Sequence, residues 1–133
     1  MSVDIIIPVW NIQKRGYQRV YYLIYSLLGQ GYNKIFVVNG GKDYDKLHGL
    51  IKEIPRVEHI SFNMEVFNKP KLLNTGIRAS KAEWIFCTDC DYLFSKNMLS
   101  LCRQYRAPDR MLHKEVIMLP TTNITCHKIN RWT

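Results

Sequence analysis

Asp89 and Asp91 stand two residues apart, directly after the apolar run Trp84-Ile85-Phe86-Cys87. On an extended chain that spacing sends both carboxylates to one side, so together they can hold a hard divalent cation through oxygen. A cation there would bridge and neutralise phosphate oxygens, which is how diphosphate leaving groups are commonly activated. The same residues could equally form a solvated turn with a capping Asp. Cys87 and Cys90 admit a zinc or redox reading, but their odd spacing on a strand sends the two thiols to opposite faces. A second pair at zinc spacing is missing, since Cys126 and His127 are adjacent and His113 stands alone. The four cysteines are therefore read as reduced thiols.

These residues need a scaffold, and the chain spells one out. Val3-Asp4-Ile5-Ile6-Ile7-Pro8 is the near-continuous β-branched run of a strand covered on both faces, and Pro8 is expected to end it. Val20, Leu23, Ile24, Leu27 and Leu28 recur at helical spacing between Tyr17 and Gln30, with Gly31 placed to terminate the helix. Residues 34–38 form a second buried strand, 44–54 a helix stopped by Pro55, and 57–62 a short third strand. Asn68 and Pro70 mark a helix start, with Leu72, Leu73, Ile77 and Ala79 as its apolar face. Residues 83–88 read as the next strand, Ser95 as the cap of a fourth helix, and Val116 to Leu119 as a last strand. Alternating strands and helices predict an α/β fold with a mostly parallel sheet, whose ligand crevice lies at the carboxyl ends of the strands. Three polar clusters fall there: Val9-Trp10-Asn11, Asn39-Gly40-Gly41 and Asp89-Cys90-Asp91.

The remaining composition narrows the class. With 133 residues, 47% of them hydrophobic, the chain is expected to be one globular domain, residues 1–133, that folds without disulfides or a structural metal. A net charge of +8 suggests an anionic partner. The basic residues are scattered, however, with Lys14, Arg15 and Arg19 in one loose group and Arg103, Arg106 and Arg110 in another. No recognition motif or dense stripe accompanies them, so nucleic acid is not expected. The longest apolar stretch, Val20 to Leu28, is broken by Ser26 and falls far short of the about 20 residues that span a bilayer. No export signal opens the sequence, and the expected compartment is the cytoplasm.

The run Phe67-Asn68-Lys69-Pro70-Lys71-Leu72-Leu73-Asn74-Thr75-Gly76, followed by a strand and Asp89-Cys90-Asp91, resembles the nucleotide-sugar half of GT-A glycosyltransferases. It is similar to glycosyltransferase family 2 and to the β-1,4-galactosyltransferase group, whose Phe-Asn-Arg-Ala-Lys-Leu-Leu-Asn-Val-Gly stretch likewise precedes an Asp-Val-Asp. Ile5-Ile6-Ile7-Pro8-Val9-Trp10-Asn11 also looks like the family's first strand and nucleotide loop. The resemblance implies a Rossmann-like GT-A domain that binds a nucleotide diphosphate sugar, UDP-linked, with a divalent cation, manganese ahead of magnesium. It places Pro8, Val9 and Trp10 beside the base, and Phe67 and Lys69 against the uridine. Asn39 would stand where family 2 members carry an Asp that reads uracil. Asp91 would be the direct metal ligand, with Asp89 its partner near ribose or metal. Lys69 replaces the galactosyltransferase Arg, keeping the charge without the planar fork. For Trp10, Asn39 and Lys69 a structural role stands beside the ligand role, and Gly76 is read as permitting close helix-to-sheet approach.

Only Tyr92 to Thr133 follows the Asp pair, whereas these families draw acceptor site and catalytic base from a longer carboxyl-terminal half. His113, Glu115 and His127 are the bases on offer, none in a motif. Two expectations follow. The chain is either a glycosyltransferase donor domain, completed by a partner chain or by self-association, or a non-catalytic nucleotide- or glycan-binding or assembly module of the same descent.

Overall fold

The computed structural model describes residues 2–112, save positions 13, 43 and 110. The elements run β1 (Val3–Val9), α1 (Lys14–Leu27), β2 (Lys34–Asn39), α2 (Tyr44–Ile51), β3 (Val57–Ser61), α3 (Lys69–Ala79), β4 (Trp84–Cys87) and α4 (Met98–Tyr105). The four strands form one parallel sheet in the order β3-β2-β1-β4, which is the expected α/β architecture. The anticipated strand from Val116 and the candidate bases His113, Glu115 and His127 lie outside the described residues.

Every residue of β1 is buried, because the strand is central and covered on both faces. On one face Ile5, Ile7 and Val9 meet Ile35 and Val37, closed over by Leu23 and Ile24 of α1, Leu47 and Ile51 of α2, and Met98 and Leu99 of α4. On the other, Ile6, Phe36 and Val38 pack under Leu72 of α3. Each such side chain contributes about 1.5–3 kcal/mol on burial, so a run of β-branched residues is what a doubly covered strand requires.

Asp4 interrupts that run at 1% exposure. Its Oδ1 accepts from Asn33 Nδ2 at 2.9 Å and from the Lys34 backbone N–H at 3.0 Å, and its Oδ2 accepts from Ser80 Oγ. The carboxylate thus ties the start of β2 and the end of α3 to β1, at the end of the sheet opposite the polar loops. A buried acceptor so fully supplied is tolerated where an unpaired one would not be.

Several boundaries differ from the sequence reading. Pro8 does not end β1. Trp84 N–H donates to Ser2 O and Thr88 N–H to Ile6 O, so alternate peptide groups of β1 face β4, and Pro8 is the next of them. Lacking an N–H, it ends the ladder to β4 while pairing with β2 continues through Val9 opposite Asn39. Helix α1 stops at Leu27, two positions after which Gly29 adopts φ +78°, before Gly31 is reached. Helix α2 ends at Ile51, well short of Pro55.

Ser95 does not cap α4; Asn97 occupies the cap position but its side chain caps no helix amide, its Oδ1 accepting instead from Ser95 Oγ. The free amide of Leu99 is instead met by Gln30 Oε1 at 3.0 Å, while Gln30 Nε2 donates to Ser26 O and Ser95 O, both at 2.8 Å. Arg103 then reaches back to the carbonyls of Gln30 and Gly31 at the end of α1, where a cation suits the helix dipole. Long-range partners displaced the local cap that the sequence suggested.

His59 of β3 stacks on His48 of α2, ring centroids 5.7 Å apart and 23° from parallel. Burial, and secondarily the charge of His48, lower the His59 pKa from 6.5 to about 4. Between those values the unfolded chain binds a proton that the folded one refuses, so stability is lost as pH falls through the window. We expect a loss of about 1–2 kcal/mol between pH 7 and pH 5, allowing for partial solvent screening. Melting curves of the protein and of His59→Phe check this: the variant should show a flatter pH dependence, and parallel curves would refute it.

Candidate functional site

Helix α3 begins as the sequence specifies. Asn68 Oδ1 accepts from the Lys71 N–H at 3.1 Å, and Pro70 sits in the first turn. Close contact then sets its position, because a Cβ on Gly76 would lie 2.6 Å from Ile6 Cγ2. The start of α3 is thereby held beside the carboxyl ends of β1 and β4.

Two pairs meet there. Trp10, just past β1, donates from Nε1 to Met64 O at 3.2 Å, and its ring lies 5.6 Å from that of Phe67, tilted by 37°. Phe67 is 50% exposed. Lys69 Nζ donates to Asp89 Oδ1, joining α3 to the loop after β4, with both side chains about two-fifths exposed. The bond to Asp89 raises the Lys69 pKa above the ordinary lysine value against the opposing cost of desolvation. An aromatic wall able to stack a base and a charged rim able to meet phosphates therefore adjoin.

Asp89 lies two residues past β4, and the chain turns at Cys90 and Asp91, so the extended conformation assumed from spacing does not persist to the second carboxylate. Asp91 is exposed and makes no hydrogen bond or ion pair with the other described side chains. Asn39 sits elsewhere. In register with Val9 on the α1 side of the sheet, it is 1% exposed, and its Oδ1 accepts from the Gly41 N–H at 2.8 Å while Nδ2 has no partner. Its visible work is to hold the Gly40–Gly41 turn, which presses on the first loop: a Cβ on Gly41 would come within 2.5 Å of the Asn11 backbone N. Val9 is a core residue, and Pro8 a strand residue paired with Val38. The structure thus gathers Trp10, Phe67, Lys69 and Asp89, with Asp91 on the adjoining turn, and turns Val9 and Asn39 to the opposite, α1 face of the sheet.

Desolvation raises the thiol pKa of the half-buried Cys90 and, against the opposing charge of Lys69, that of Cys87 at the exposed end of β4. Tyr92 and Arg19 were not read as site residues. Tyr92 lies near Lys69, and Arg19 of α1 near Cys90, which places both around the loop. The position of Tyr92 next to Asp91 was the available signal; that of Arg19 needed the fold. Ile77, expected on the packed face, is 39% exposed at the edge of α3.

Whether the residues suit a divalent cation follows from the donor set. Two accessible carboxylates are hard oxygen donors, and Asp89 already carries a cation, the Lys69 ammonium. Among the described residues no cluster of three ligating side chains is present, so water and ligand oxygens would complete the shell, as is usual for small hard ions. In donor chemistry each carboxylate suits such an ion.

A parallel α/β sheet with polar loops at its carboxyl edge belongs to the class of open α/β folds whose ligand crevice lies at those strand ends. Within it, the model of Glycosyl transferase family 2 matches residues 4–107, and the chain belongs to that family. The structure is similar to that of S. aureus TarS residues 1–349, with TM-score 0.61, 18% identity, and coverage of 78% of this chain and 32% of that one. The same TarS fragment in complex with UDP-GlcNAc gives TM-score 0.60 and 16% identity, covering 78% and 30%. A longer TarS structure gives 0.59 and 17%, covering 78% and 19%. The chain thus spans about a third or less of these proteins. No curated protein sequence matches it. No helix among the described residues is long and apolar enough to cross a membrane.

Proposed function

We propose that this chain is the donor-binding part of a glycosyltransferase, taking a nucleotide diphosphate sugar, UDP-linked, with a divalent cation, manganese ahead of magnesium, at Asp91 and Asp89. The observation that carries this reading is the junction of the Trp10–Phe67 pair with the Lys69–Asp89 pair at the strand ends of a family 2 domain. TarS, similar in fold, has a structure in complex with UDP-GlcNAc, which supports the choice of donor class. The β-1,4-galactosyltransferase-like run from Phe67 to Gly76 agrees with it.

In this reading Phe67 and Trp10 form one wall beside the base, and Trp10 is kept in place by its bond to Met64 O. Lys69 supplies a positive charge beside the diphosphate, and Asp91 and Asp89 would hold the cation. When bound, such an ion neutralises diphosphate oxygens and favours departure of the nucleotide. Asn39, buried on the α1 face, acts through the turn it holds: its Oδ1 accepts from the Gly41 N–H, and its Nδ2 would reach a base edge only if that turn opened.

Because the chain spans only about a third of its structural relatives, a second reading is a binding or assembly module, with acceptor chemistry supplied by a partner chain or another copy. Calorimetric titration with UDP and UDP-sugars, with and without Mn²⁺, is the direct test. Binding that strengthens with Mn²⁺ is expected, and no binding in either condition would reject the nucleotide reading. Donor turnover by the isolated chain, paired with its mass in solution, then separates enzyme from module. Rapid sugar transfer by a verified monomer would eliminate the module and the need for a partner.

A further inference from the structure

Lys69 and Asp89 are twenty positions apart, yet the ammonium of one sits on the carboxylate of the other. Local helix energetics do not explain a lysine there. It occupies the first turn of α3, where the helix dipole disfavours a cation, and no acidic residue shares that turn. Its placement makes sense through Asp89, one of the two carboxylates available to a divalent ion. An ammonium and a divalent cation on one carboxylate repel each other, so each weakens the other's hold on it.

We propose that Lys69 is a competing internal cation: it holds Asp89 while the site is empty, leaves when a divalent ion takes the carboxylate, and carries its freed charge to the bound diphosphate. The proposal rests on the nucleotide-diphosphate reading given above. Both side chains are about two-fifths exposed, so the pair is a weak and reversible one. A lysine suits the exchange better than an arginine. Its single ammonium on a flexible four-carbon stem can swing between two anions, whereas a guanidinium would fork onto the carboxylate and stay. A diphosphate drawing Lys69 away exposes Asp89 to the metal, and a metal on Asp89 frees Lys69 for the diphosphate. The two ligands thus strengthen each other by one common factor, as linkage demands.

The test is Mn²⁺ binding, followed by loss of the free-ion paramagnetic resonance signal, for the full chain and for Lys69→Met, Lys69→Gln and Lys69→Arg, each with and without saturating UDP. Circular dichroism verifies that each variant is folded. Without nucleotide, Lys69→Met and Lys69→Gln should bind Mn²⁺ about three- to tenfold more tightly than the unaltered chain, and Lys69→Arg no more tightly. UDP should improve Mn²⁺ affinity more in the unaltered chain than in Lys69→Met. In an Asp89→Asn background the Lys69→Met gain should vanish, since the pair is then already broken. Equal Mn²⁺ affinity of the unaltered chain and Lys69→Met, or no Mn²⁺ uptake by any variant, overturns the proposal. A gain in Lys69→Met with no UDP binding at all supports the competition for Asp89 and rejects the nucleotide reading instead.

Discussion

Gly76→Ala should destabilise the protein by about 1–3 kcal/mol, whereas Gly49→Ala should stabilise it by up to about 1 kcal/mol. Both glycines are helical, so intrinsic propensity favours alanine at each. Their surroundings reverse the sign. A Cβ at Gly49 meets nothing within 4 Å. At Gly76 it would lie 2.6 Å from Ile6 Cγ2 and 3.1 Å from Ile6 Cδ1 and Val38 Cγ2. Ile6 and Val38 are fully buried strand residues with no room to move aside, so α3 itself must rise from the sheet. That motion would carry Phe67 and Lys69 away from Trp10 and Asp89, so ligand affinity should fall along with stability. Chemical denaturation of the two variants measures the difference directly. Changes of the same sign would mean that α3 does not bear on the sheet as closely as described.

Gly76 was legible before the structure as a point of close helix-to-sheet approach, although Gly49, also a glycine within a helical apolar pattern, shows that the pattern alone does not fix that use. Also legible were the doubly buried β1 run and the Asn68 cap, where local chemistry and tertiary structure agree. Legibility failed where partners lie far away in sequence. Ser95 had the right residue type for a cap, but Gln30 reaches the α4 amide from sixty-nine positions upstream. Pro8 looked like a strand end because the sequence does not reveal that its missing N–H faces the side on which the neighbouring ladder stops. At the site, the Phe67 to Asp91 segment could be singled out by its motifs. The side-chain pairings could not, because strand alternation sends Asn39 into the α1 face, while Trp10 packs against the cluster under α3. Arg19 remained one basic residue among nineteen until α1 was placed beside the Cys90 loop.

Asp91→Asn should weaken Mn²⁺-supported nucleotide binding by at least about tenfold while changing stability by no more than about 0.5 kcal/mol. The two halves of this expectation come from one observation: Asp91 is exposed on the turn and has no partner among the other described side chains. A carboxylate in that state contributes little to folding, and its charge is available to a ligand. Asparagine keeps the size and one oxygen but removes the charge that a hard cation requires. Asp89→Asn differs in a diagnostic way, since it also releases Lys69 and so leaves a free cation beside the diphosphate. Nucleotide binding without metal should therefore survive, or improve, in Asp89→Asn. In Asp91→Asn it should match the unaltered chain, and only the Mn²⁺-dependent increment should be lost. Calorimetry of both variants, with and without Mn²⁺, resolves the two patterns. If Asp91→Asn retains the full Mn²⁺ increment, the cation is held elsewhere; if it instead melts several degrees lower, Asp91 is a structural residue of the turn.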